Sequence, residues 1–209
     1  SEPEHFLARL AMAICDLRLQ RIGEAKVGLT ACIAQRPRFA WSYIYRSAAS
    51  QKLGEATAAI LDLERALECG APTTERYVSL IQLGRLQLLE GDRRSAETRF
   101  TEAAKLLPHE PAGWTHLACV ETLEGRHEFA HAHFQEALNL APDSNDAAWG
   151  EVILSLRQHN FSSAKYQFTT QLQRQFEQLT KHIYPELRPQ IHVAGYVRQP
   201  AVQRLNLGP

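Results

Sequence analysis

The sequence predicts an all-α fold, a stack of two-helix units, and three observations predict it. Ala and Leu supply 55 of the 209 residues, while the punctuation that bounds strands is nearly absent, a composition that favours helices. A set of landmark residues recurs at a period of about 34, which is the signature of a repeat architecture. Within each period, small residues, aromatics, a glycine and a proline come in one order. Two helices that bury their apolar faces only by stacking on the next pair need that order.

The period is clearest in the fourth unit, which runs from Trp114 through Leu117, Ala118, Gly125, Ala130, Phe134 and Ala137 to Pro142. One step of 34 earlier, Leu80, Leu83, Gly84, Gly91, Ala96, Phe100, Ala103 and Pro108 fill the same slots. A step of 37 then leads to Tyr43, Ser47, Gly54, Ala59, Leu63 and Ala66, with Pro72 one place late and three residues inserted around 70–73. A weaker copy follows at Ala13, Ala25, Leu29, Cys32 and Pro37. Forward of Pro142 the step finds Phe161, Ala164 and Phe168 before fading at Gln171 and Phe176. Five units result, at about 6–39, 40–76, 77–110, 111–144 and 145–181.

Each unit predicts two helices: 5–20 and 23–35, 41–53 and 56–69, 75–90 and 93–106, 111–124 and 127–140, 145–158 and 161–181. Gly54, Gly91 and Gly125 end first helices in the left-handed conformation that glycine adopts cheaply. Pro37, Pro108 and Pro142 stop second helices, because proline breaks the helical hydrogen-bond ladder. Gly84 or Ala118 on the first helix, and Ala96 or Ala130 on the second, stand where backbones come closest. Trp114, Phe100 and Phe134 fill the space between layers. The fifth unit departs from the pattern and reads as a C-terminal cap. Beyond about Lys181, Pro185, Pro189, Pro200 and Pro209 break any helix and Ile191-His192-Val193 is short and β-like, so 182–209 reads as an extended tail beside a 1–181 repeat domain.

These landmarks carry a resemblance to the tetratricopeptide repeat (TPR) family over roughly residues 6–176. The resemblance implies a right-handed α-solenoid in which first helices line a concave groove and second helices form the convex back. The stretch from Leu29 to Glu68 is also similar, more loosely, to TPR arrays attached to bacterial serine/threonine kinase domains. That similarity implies a docking or oligomerising module for a kinase; no kinase motif lies in these residues.

Charge and composition narrow the function. Lys plus Arg number 23 and Asp plus Glu 23, so the basic excess that drives phosphate-backbone binding is missing and nucleic acid is not an expected partner. No apolar run reaches the ~20 residues a spanning helix requires, so no membrane partner is expected either. Cys15, Cys32, Cys69 and Cys119 form no C-x-x-C pair and read as small apolar residues of a reducing compartment, the cytoplasm. The chain starts at Ser1, as an excised domain would. Residues 1–144 carry 16 basic and 19 acidic side chains and 145–209 carry 7 and 4, an asymmetry suited to tail fold-back or head-to-tail contact.

One motif argues for chemistry. His127-Glu128-Phe129-Ala130-His131 spells H-E-x-x-H, which on a helix sets two imidazoles one turn apart with a carboxylate beside them, as in a zinc-dependent hydrolase. The same five residues open a second helix in the best-formed repeat, Ala130 is a packing landmark there, and Glu151 or His159 is the third ligand on offer. Adventitious metal binding by His127, His131 and His133 is the weaker form of that reading. G-x-S-x-G, the P-loop and G-x-G-x-x-G patterns are absent. Glu121 with Glu124, and Glu64 with Glu68, read as solvated helix faces. The sequence therefore points to a protein that is not an enzyme and needs no cofactor.

The groove is where a partner fits. First-helix faces carry Leu10, Ile14, Leu17, Trp41, Ile44, Ala48, Val78, Ile81, Leu88, Thr115, Cys119, Trp149 and Ile153, with Arg85 as the main charge on the buried side. TPR proteins that grip acidic C-terminal tails present Lys and Asn there, and the resemblance does not extend to that clamp. An apolar trough calls for a cover. The candidates are a partner helix or extended peptide, the chain's own tail through residues such as Tyr184, Leu187, Tyr196 and Leu205, or a second copy. Leu10, Ile14, Trp41, Ile44, Ile81 and Trp149 are the expected apolar anchors, and Arg85 the group that orients a carbonyl or carboxylate; about half of such positions are expected to be core instead.

Overall fold

In the computed structural model the backbone is described over residues 2–183 and side chains over 5–175. Among the described residues there are ten α-helices and no strand: α1 (Glu2–Arg18), α2 (Ile22–Gln35), α3 (Ala40–Lys52), α4 (Ala56–Glu68), α5 (Thr73–Leu89), α6 (Arg93–Leu106), α7 (Pro111–Leu123), α8 (His127–Leu140), α9 (Asn145–Arg157) and α10 (Phe161–Ile183). The tail expected over 182–209, with Tyr184, Leu187, Tyr196 and Leu205, lies outside the described residues apart from the last residues of α10. The chain divides into two units, Ser1–Gln167 and Phe168–Pro209, the second beginning within α10.

The turn chemistry repeats with the helices. Gly54, Gly91 and Gly125 follow α3, α5 and α7 with φ of 76°, 87° and 76°. Gln20 and His159 occupy the same slot after α1 and α9, with φ of 61° and 56°. The degenerate first and fifth repeats thus keep the backbone bend without the residue that relieves it, at about 1 kcal/mol each. The prolines also do more than stop helices. The Pro108 carbonyl accepts the Trp114 indole N–H at 2.9 Å, and the Pro37 carbonyl accepts the Tyr43 hydroxyl at 3.1 Å. Each bond ties a second helix's end to the first helix of the next repeat.

From α1 to α9 every helix packs on its successor, and the odd helices also touch one another in the series α1, α3, α5, α7, α9. Among the described residues no pair of even helices does so. Where one layer of a stack is in mutual contact and the other is splayed, the contacting layer lies on the inside of the curve, so the odd helices form the inner wall of the first unit. The core follows the repeat: Ala25, Leu29 and Cys32 on α2, Ala59, Leu63 and Ala66 on α4, Ala96, Phe100 and Ala103 on α6, and Ala130, Phe134 and Ala137 on α8 are all buried. Gly84 makes room for the ring of Phe100: a methyl there would sit 2.6 Å from Cε1. Its close neighbour is a side chain, where close backbone approach was expected.

Charges are buried only with partners. Arg46 on α3 donates to Asp62 on α4 through Nε at 2.9 Å and Nη2 at 2.6 Å, and this bond holds the guanidinium above its usual basicity. Asp62→Ala leaves that guanidinium half-buried without its carboxylate. We expect a loss of about 2 kcal/mol in chemical denaturation, and Arg46→Met with Asp62→Leu to recover most of it.

Candidate binding surface

On α5, Gly84 marks the direction of α6, through its fit to Phe100. With 100° per residue, Val78, Ile81, Arg85 and Leu88 lie on one stripe about a quarter turn away. Val78 and Leu88 are half-buried and Arg85 is exposed. Sequence reading placed Arg85 on the buried side; the structure corrects this, because its side chain is exposed and donates to Gln82 of its own helix at 3.4 Å. Equivalent stripes carry Trp41 on α3, Cys119 on α7, and Trp149 with Ile153 on α9. Trp41 stacks on Tyr45, with centroids 5.6 Å apart, and Ile153 is 52% exposed.

The electrostatics of this wall turn on two residues that sequence reading missed, His116 on α7 and Asp146 on α9. His116 stacks on Phe100 at 5.0 Å. Burial first, and then the Arg85 guanidinium, pushes its pKa down to about 4, against a smaller opposing pull from Asp146. At neutral pH the ring is uncharged. Burial, helped by Asp146, pushes the Cys119 thiol up to about 11, so it is a poor nucleophile. His116 therefore feels Arg85 of α5 and Asp146 of α9, and Cys119 feels Asp146. Among the residues of these stripes, Arg85 supplies a cation and Asp146 an anion.

Away from this wall, two of the three histidines of α8 are engaged. His131 Nδ1 donates to Glu151 at 2.9 and 3.1 Å, and His133 Nδ1 donates to Glu121 at 2.8 Å. Glu151 and Glu121 are 4% and 3% exposed. The expectation that Glu121 lies on a solvated face is overturned: it points into the α7–α8 junction, where His133 pairs with it. The hydrolase reading of His127, Glu128 and His131 finds no support. Ala130 is packed into the core, His131 is turned to Glu151, and among the described residues no group of three His, Cys, Asp or Glu is placed to hold a metal ion.

The sequence matches no protein-family model and no curated protein sequence. Solved structures do match. Cut9, in the APC/C hetero-tetramer Cut9-Hcn1, is similar with a TM-score of 0.68 at 20% identity, over 81% of this chain, which spans 33% of that one. A tetratricopeptide repeat protein from Parabacteroides merdae gives 0.69 at 14% identity, over 82% of this chain and 67% of that one. YrrB, described as a TPR protein with an unusual peptide-binding site, gives 0.60 at 14% identity, over 79% and 84%. The fold is that of a right-handed tetratricopeptide-repeat solenoid.

Within the TPR array, the residues expected in the groove divide by depth. Leu10, Ile44 and Ile81 are 8%, 6% and 7% exposed and belong to the packed core. Ile14 is half-buried against the first core cluster. Trp41, Arg85 and Trp149 keep more of their surface. The four cysteines are all free thiols, with Cys15 exposed and Cys32 buried. Among the described residues no helix of the array is long and apolar enough to cross a membrane.

Proposed function

We propose that this TPR array is an adaptor, a non-enzymatic module that binds a polypeptide segment, helical or extended, along the inner wall of its odd helices. The observation that carries the reading is the row of incompletely buried apolar side chains on successive odd helices, from Trp41 through Val78, Leu88 and Cys119 to Trp149 and Ile153. Rows of this kind on a soluble protein mark interaction surfaces, and a few large anchors supply most of the affinity at such sites. Arg85 orients a carbonyl or carboxylate of the bound segment, while Leu10, Ile14, Ile44 and Ile81 support the wall from beneath. The peptide-binding site named for YrrB is consistent with this use of the fold.

The test is a pull-down comparing wild type with Trp41→Ala/Trp149→Ala, Arg85→Glu and a back-face control, Leu61→Ala on α4. Where residues 29–68 resemble kinase-attached arrays, such a kinase is the first bait. The expected result is one partner lost at least ten-fold with the tryptophan and arginine variants and kept with the control, helix content being equal in all. Retention of the partner by both inner-wall variants rejects the groove.

A further inference from the structure

The inner wall at α3 and α5 carries hydrogen-bond donors with nothing to bond. Trp41 and Tyr45 stand one turn apart on α3, half-buried and stacked with ring centroids 5.6 Å apart. Among the described residues neither the Trp41 indole N–H nor the Tyr45 hydroxyl meets a hydrogen-bond partner. Elsewhere in the array such groups serve the fold: Trp114 donates to the Pro108 carbonyl at 2.9 Å and Tyr43 to the Pro37 carbonyl at 3.1 Å. On α5 the exposed Arg85 already occupies the Gln82 side-chain oxygen, at 3.4 Å. No carboxylate shares the stripe of Trp41 on α3 or that of Arg85 on α5.

Charge complementarity selects the occupant. An indole N–H, a phenol O–H and a guanidinium all present positive ends, so the matching surface is a row of oxygens. A helix has its backbone carbonyls bonded internally, and an ordinary extended chain brings an N–H with every carbonyl. A proline-rich segment brings carbonyls without N–H groups, pre-set in the polyproline II conformation with its backbone open, and aromatic-lined grooves suit it. Its period fits as well. Three residues per turn repeat one face about every 9 Å, close to the roughly 8–10 Å between packed helices, and α3 and α5 are in contact. The residue three places from the one on the Trp41–Tyr45 pair thus falls over Arg85, where an acidic side chain balances the guanidinium.

We propose that α3 and α5 bind a proline-rich segment in the polyproline II conformation. Its prolines lie on Trp41 and Tyr45, its carbonyls accept from the indole N–H and the hydroxyl, and an acidic side chain three residues away meets Arg85. This rests on the adaptor reading and narrows it from any polypeptide segment to one chemistry.

The probe is a peptide of prolines with one central glutamate, capped at both ends and titrated calorimetrically into the full chain. It should bind with a dissociation constant below roughly 1 mM. Its lysine-centred twin, and a glycine-serine peptide with the same glutamate, should each bind about ten-fold more weakly. Trp41→Phe and Tyr45→Phe keep a ring and remove the donor, so each should weaken binding about three- to ten-fold with helix content unchanged. Arg85→Glu should invert the preference between the glutamate and lysine peptides, and Leu61→Ala on the back face should change nothing. A glutamate peptide that fails to bind at millimolar concentration overturns the proposal, a helix or the chain's own residues 184–209 then being the occupant. So does equal binding of the glycine-serine peptide, full binding by both phenylalanine variants, or an Arg85→Glu protein with the wild-type preference. In each of these cases the pull-down with Trp41→Ala/Trp149→Ala still decides the adaptor reading by itself.

Discussion

Replacing Phe100 with alanine should lower the unfolding free energy by about 4 kcal/mol and the thermal midpoint by roughly 10 °C. The ring is fully buried on α6, fits the notch that Gly84 leaves on α5 and stacks on His116 of α7, so its loss opens a cavity touching three helices of two repeats. Gly84→Ala should cost about 2 kcal/mol in the wild-type background, because its new methyl overlaps a ring that has no room to retreat. Made together with Phe100→Ala, the same methyl enters vacated space and should cost little or become stabilising. A double-mutant cycle read by chemical denaturation measures that coupling. Simple additivity of the two changes would mean that the notch and the ring do not fit one another as described.

The array should also lose stability as pH falls from 6.5 towards 4, in part through His116. Burial and the neighbouring Arg85 hold the folded-state pKa at about 4, against an ordinary 6.5. Between those values the unfolded chain carries a proton that the folded one does not. Stability from this group is therefore complete above pH 6.5 and declines as pH drops through the window, by about 3 kcal/mol at its lower end. The comparison that isolates this imidazole is wild type against His116→Leu. The variant should show a slope smaller by close to one proton over that range, and Arg85→Ala should move the His116 NMR titration upward. Equal slopes in the two proteins would show that the imidazole is charged in the fold.

The comparison of the sequence with the structure divides along a physical line. All ten helices were legible because their signals are local. A glycine such as Gly91 marks a left-handed bend and a proline such as Pro142 a stop, whatever surrounds them, and the observed limits fall within three residues of those expected. The repeat itself was equally legible, since Ala96, Phe100 and Ala103 recur in register with Ala130, Phe134 and Ala137. Even the slots where the pattern fades hold the bend, through Gln20 and His159, although nothing in those residue types announces a positive φ.

Depth and pairing were not legible. Ile81 and Val78 are equally apolar on one helix, yet one is core and the other half-buried, because the neighbouring helices cover Val78 only in part. Glu121 and Arg85 look alike as helix charges, and the first is buried against His133 while the second stands in solvent. H-E-x-x-H has the spacing of a metal motif as well as that of a packed helix start, and only the structure shows that among the described residues no group of three ligands forms around it. The sequence alone determined that this chain is a stack of helical hairpins, because periodicity and turn chemistry act over a few residues. Only the tertiary structure decided which apolar and charged side chains stay accessible, since burial depends on a neighbour 12 to 36 positions away.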